Sequence, residues 1–257
     1  MSRRKGFLES HNPVMKESAY QQAAHEVLDG DMARTAGGIV ERMTVQGAIN
    51  KSIILGGIMV LTAAISFSMP SQLFLWGGAI GGLIVVVIAS MKPQMSPTLA
   101  PVYAGLEGLF VGAVSAIYAS MFNGIIFQAV TLTMAVFFLM LFFYKSGIIK
   151  VTSKFRSGII MATGAIFVFY LLNWILSMFG VHMPYLHQGG WMGIGISLVI
   201  VAVASLNLLL DFDNFEKGEK FGAPAYMEWF SAMGLLITLV WLYVEILRLI
   251  ALFSSND

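Results

Sequence analysis

Five acidic residues and one arginine stand within or at the ends of long apolar stretches: Glu107, Asp211, Asp213, Glu228, Glu245 and Arg248. An acid in hydrocarbon costs roughly 2.5–3.5 kcal/mol on insertion scales, so such a residue usually faces a cavity or a partner. Carboxylates that gather with few cations exchange protons as a coupled set, and their oxygens suit hard cations, calcium above all. The chemistry implied is proton-controlled cation binding or leakage, with Asp211 and Glu228 as a transient calcium position.

Spacing sorts these residues. Glu107 lies about two turns into the third apolar stretch, near 10 Å from its inner end at ~1.5 Å per residue. Asp211 and Asp213 are two positions apart, which puts them on different helix faces, so one of them points inward. They close the sixth stretch, where acids oppose the helix dipole and need a partner. Glu228 opens the seventh stretch after Pro224, where the dipole favours an acid. Asp211 and Glu228 therefore arrive at similar depth on antiparallel helices, with Glu107 near that level. Glu245 and Arg248, three apart, share a face of the last stretch and can pair.

The elements that must position them are helices. The chain has 257 residues, 58% of them hydrophobic and only 11% charged, against roughly 25% charged in soluble domains. Stretches near 52–69, 74–91, 99–121, 124–144, 158–181, 191–210 and 229–253 approach or reach the ~20 apolar residues that a bilayer-crossing helix needs. Runs such as Leu83-Ile84-Val85-Val86-Val87-Ile88 do not alternate, which excludes a barrel. The expected architecture is an all-α membrane protein, a seven-transmembrane-helix bundle over 51–253. A mobile tail (1–50) with a short helix near 20–28 precedes it, and a short outer end (254–257) follows. The last span also carries Thr238, Trp241 and Tyr243, too polar to face lipid all round, and is expected at the centre, ringed by the other six.

Basic residues set the orientation. Arg3, Arg4, Lys5, Lys16, Arg34, Arg42, Lys51, Lys92, Lys145, Lys150, Lys154, Arg156, Lys217 and Lys220 all fall on one side of a seven-span arrangement. The positive-inside rule then places the N-terminus in the cytoplasm and the C-terminus outside, in a plasma (inner) membrane. Short outer connections imply that consecutive spans pack as neighbours. Glycines 77, 78, 81 and 82 in the second span and 105, 108 and 112 in the third allow close helix approach.

Several functions drop out. Net charge is +1, which argues against nucleic acid as a partner, and with no cysteine there is no thiolate chemistry. No His-Glu-x-x-His occurs, and the histidines lie outside the spans, so the chain is not expected to be an enzyme. His182 and His187 share one outer loop but make too few ligands for a metal site. No cofactor is expected beyond a transported or bound calcium ion. The expected partners are the lipid bilayer and calcium or protons. The runner-up reading is a non-conducting interaction protein that modulates a membrane protease or a stress response.

Four segments, in order, resemble the bacterial branch of the Bax inhibitor-1-like family. They are Met43-Thr44-Val45-Gln46-Gly47-Ala48-Ile49-Asn50-Lys51, Tyr103-Ala104-Gly105-Leu106-Glu107-Gly108-Leu109-Phe110-Val111-Gly112, Leu210-Asp211-Phe212-Asp213, and Tyr226-Met227-Glu228-Trp229 running on to Trp241-Leu242-Tyr243-Val244-Glu245-Ile246-Leu247-Arg248. The resemblance implies a seven-helix bundle with a central last helix and a pH-sensitive calcium leak. It also implies an acidic sensor pair on the sixth and seventh helices. Asp211 matches the first member, with leucine in place of the family's tyrosine before it. Glu245 matches the second, with glutamate in place of aspartate. Motif matching thus pairs Asp211 with Glu245, whereas depth pairs it with Glu228.

Overall fold

A computed structural model of the chain describes residues 41–179 and 190–255, together with Gln21. Gln21 is helical, and the rest of the expected helix near 20–28, most of the tail, the loop with His182 and His187, and Asp257 lie outside the described residues.

Among the described residues, seven long helices follow one another: α1 (Val45–Ser68), α2 (Gln72–Met91), α3 (Ser96–Met121), α4 (Ile125–Lys145), α5 (Ser153–Met178), α6 (Trp191–Lys220) and α7 (Tyr226–Ser254). All seven are long and apolar enough to cross a membrane. Local chemistry sets their ends. Thr44, Ser71 and Thr152 cap α1, α2 and α5, each side chain accepting from the backbone N–H three residues on. Pro70 follows the α1 cap residue, and the 3-10 turn Pro93–Met95 leads into α3. Gly124, before α4, has φ of 73°, in the left-handed region that favours glycine.

Two boundaries differ from the hydropathy reading. Helix α1 starts at Val45, inside the expected tail. Helix α6 does not stop near residue 210 but runs on to Lys220, so Asp211 and Asp213 are not at its end. The polar extension is helical because Lys217 pairs with Asp213 at 3.3 Å and Lys220 with Glu216 at 3.5 Å, both one turn apart. Lys217 and Lys220 also place positive charge at the C-terminal end of the helix dipole.

Burial separates inner from outer helices. In α6 and α7, 56% of the membrane-length window is buried, against 11% in α1 and α5. Helix α7 is central, but it packs against α1, α3, α4 and α6 rather than all six others. Helix α2 leans chiefly on α3, and α5 packs chiefly on α6. The expected pairing of neighbours in sequence gives way in the first three helices, where α1 packs on α3 and scarcely touches α2. Glycine explains this. A Cβ on Gly108 would overlap the Thr62 hydroxyl and the Met59 carbonyl, and one on Gly112 would overlap the Ala63 carbonyl. Those two positions let α1 approach α3 backbone to backbone. Gly105, on the same expected stripe, faces open space.

Candidate functional site

The acids predicted from the sequence divide among several local environments. Asp211 and Asp213 do point apart, as their spacing requires. Asp213 turns toward α5, where the Arg156 guanidinium donates to it, with Lys217 on its other side. Arg156 is buried, and both its terminal nitrogens also donate to Asn214 Oδ1 at 3.0 Å. Sequence reasoning had counted Arg156 as a loop cation. Its place in the first turn of α5, after the Thr152 cap, makes it one polar tie between α5 and α6, beside the Asn207 amide that donates to the Thr163 hydroxyl at 2.8 Å.

Asp211 faces α7. It is 2% exposed, its polar neighbour there is Thr238, and the charge that acts on it is Arg156. Its Oδ2 is buried and has no hydrogen-bond partner. Leu208, Leu209 and Leu210 beside it are wholly buried, so this carboxylate sits in the packed interior of the bundle.

Thr238 sets the level of Asp211 on the central helix. At ~1.5 Å per residue, Glu228 lies ~15 Å nearer the α6–α7 turn, and Glu245 lies ~10 Å toward the opposite end. At these separations neither sensor pairing raised by the sequence brings its two carboxylates into contact. The depth argument failed because it placed the turn near residue 211, whereas the chain reverses only after Lys220.

Glu228 is engaged elsewhere. Its Oε1 accepts from the Thr44 N–H at 3.0 Å and from the Thr44 hydroxyl at 3.1 Å. Thr44 Oγ1 in turn accepts from the Gly47 N–H at 2.9 Å, and Glu219 accepts from the Val45 N–H at 3.2 Å. Glu228 and Glu219 thus lie at the positive end of α1.

Glu245 is 4% exposed and pairs with Arg248 at 2.9 Å, the i,i+3 partner expected from spacing. The Tyr170 hydroxyl of α5 donates to its other oxygen, and the Arg248 guanidinium lies over the Tyr170 ring, 5.4 Å from its centroid. Nearby, Ser115 of α3 and Tyr243 of α7 share a 2.7 Å hydrogen bond. Tyr170 carried no signal in the sequence, since a lone tyrosine in an apolar span also fits lipid contact.

Glu107 turns toward α2. Half-buried, it packs over Gly82 of α2, where an added Cβ would come within 2.8 Å of its Oε2. Its polar neighbour is Tyr103, one turn earlier on α3. Among the described residues, no three His, Asp or Glu side chains come together to hold a metal ion.

This arrangement of one central polar helix with interior acids can be compared with known proteins. The family model described as Bax inhibitor 1 like matches residues 12–255. The chain belongs to that family. No curated protein matches the chain. Membership and the seven apolar helices together make it a Bax inhibitor-like, multi-pass membrane protein.

Proposed function

We propose that this member of the Bax inhibitor-like family is a pH-sensitive cation leak, with calcium as the principal ion and Asp211 as the titrating group. One observation carries the reading. Asp211 is buried against the central helix with one carboxylate oxygen lacking any donor. A buried charged oxygen without a partner is costly, and a proton or a passing cation supplies the missing interaction. Thr238 offers a second oxygen at the same level. Calcium takes oxygen ligands in flexible geometries and keeps water among them, so a carboxylate and a hydroxyl suit transient passage rather than storage.

In this reading Glu245 and Arg248 form the polar constriction on one side of Asp211, tied to α5 through Tyr170. The pore is non-enzymatic and lies in a plasma (inner) membrane, N-terminus cytoplasmic and C-terminus outside. The segregation of Lys and Arg supports that orientation.

The test is calcium flux through the purified chain in liposomes across a range of pH. Asp211→Asn is expected to lower flux about tenfold, a coupling worth ~1.4 kcal/mol, and to flatten its pH response. Flux and pH response unaltered in both Asp211→Asn and Glu245→Gln remove the reading. An absence of flux in the unmodified chain, together with co-purification of a membrane protease, supports an interaction protein instead.

A further inference from the structure

The segment just before α1 is tied to the turn between α6 and α7. Arg42 and Pro224 form an antiparallel bridge, with Met43 N donating to Ala223 O at 2.7 Å and Ala225 N donating to Glu41 O at 2.9 Å. Met43 is 1% exposed, inserted beside Ser231 of α7, whose hydroxyl lies 3.9 Å from its sulfur. Thr44 then caps α1 and donates twice to Glu228. A Cβ on Gly47 would overlap the Glu228 carboxylate, so any larger residue there would have to displace it from Thr44. Lys51, one turn further along α1, sits 4.9 Å over the Trp229 ring.

We infer that residues 41–47 form a latch fastening α1 to the α6–α7 turn, that Glu228 is its positioning residue, and that the latch restrains movement of the central helix. The fastenings run from the entry to α1 to the end of α6, the turn after it and the first residues of α7. Apart from Met43, which is buried in the core, they are polar contacts. These are hydrogen bonds at a helix end, and several of their atoms are open to water: Thr44 and Glu219 are exposed. Each such bond is individually weak, so the set can open without unfolding the bundle. The control of flux rests on the leak reading above; the latch itself does not.

The chain has no cysteine, so a designed crosslink is unambiguous. The Arg42–Pro224 bridge has the hydrogen bonds of a non-hydrogen-bonded pair, with Cα atoms typically ~4.5 Å apart, within disulfide reach. The experiment uses the full-length double variant Arg42→Cys/Pro224→Cys in liposomes. Oxidation is expected to form the crosslink and to lower calcium flux about fivefold or more, the lower end of ordinary coupling between sites, with recovery on reduction. Adding Glu228→Ala, or the milder Thr44→Val, is expected to slow crosslinking about tenfold, for the loss of ~1.4 kcal/mol of fastening.

Failure of the crosslink to form, or a rate indifferent to both added substitutions, overturns the latch. A complete crosslink with flux unchanged overturns its control of α7. A chain that conducts no calcium in any state sinks the leak reading alone, and the crosslinking rates still decide the latch.

Discussion

The Arg156 guanidinium of α5 holds the Asn214 side chain of α6 with two nitrogens, each 3.0 Å from the amide oxygen. The same group donates to Asp213. Helix α5 packs chiefly on α6, and this cluster is one of its polar attachments, with Thr163–Asn207 and Tyr170–Glu245. Removing the cation leaves a largely buried carboxylate with Lys217 alone. Arg156→Leu is expected to destabilise the detergent-solubilised protein by about 3 kcal/mol, the lower range for breaking a buried pair. Arg156→Lys retains charge but not the forked geometry, and should recover only part of that loss. A melting temperature unmoved by Arg156→Leu contradicts the assignment.

The Glu245–Arg248 pair makes a different prediction. Each partner is mostly buried within the bundle, so losing one strands the other. Glu245→Leu or Arg248→Leu alone should cost about 3 kcal/mol, whereas Glu245→Leu/Arg248→Leu should be close to neutral. A double-mutant cycle decides the matter. Additive losses would show that the two side chains do not act as a unit. Tyr170→Phe, which deletes a hydroxyl donating to this carboxylate, should cost about 1.5–3 kcal/mol, as for hydrogen bonds to charged groups.

The fold was legible in the sequence wherever hydropathy and length decided the outcome. Seven apolar stretches became seven helices because hydrocarbon requires every backbone group to be satisfied within its own segment. The site was less legible, and α6 shows why. After Leu210 the composition turns polar, which reads as a loop, yet the Asp213–Lys217 and Glu216–Lys220 spacings carried a helical signal. Ending α6 too early moved the turn and brought Asp211 and Glu228 to the same level on paper. With α6 extended to Lys220, Thr238 faces Asp211 instead. Thr44 and Gly47 show a second limit. Their partner Glu228 lies 184 positions from Thr44, and no local pattern encodes that contact. Glu245 and Arg248, by contrast, were paired correctly because both lie on one helix.

Glu107 separates two meanings of a membrane-buried acid. Its carboxylate packs over Gly82 of α2, beside Tyr103 of its own helix. If conduction follows α7, Glu107→Gln should leave calcium flux within about twofold of the unmodified chain, a difference below ~0.5 kcal/mol. It should instead loosen the α2–α3 contact, which cysteine crosslinking between those helices would report. A loss of flux as large as that of Asp211→Asn would move the pathway to the α2–α3 interface.

The glycines of α3 provide the sharpest structural contrast, because two of them lie one turn apart on the same helix and face different surroundings. Gly108 is pressed against the Met59 carbonyl and the Thr62 hydroxyl of α1, while Gly105 has nothing within 4 Å of an added Cβ. Gly108→Val must push α1 away from α3, because backbone is what it meets. Overpacking of this kind costs about 1–3 kcal/mol, and more where backbone must shift. Gly105→Ala meets no obstacle and removes backbone freedom from a helix interior, so it should stabilise by up to about 1 kcal/mol. Thermal unfolding of the two variants in one detergent measures both signs at once. Since α1 also carries the contacts of Thr44 with Glu228, Gly108→Val should slow crosslinking between positions 42 and 224 as well, and Gly105→Ala should not. Equal effects of the two substitutions would mean that α1 does not seat on α3 through Gly108.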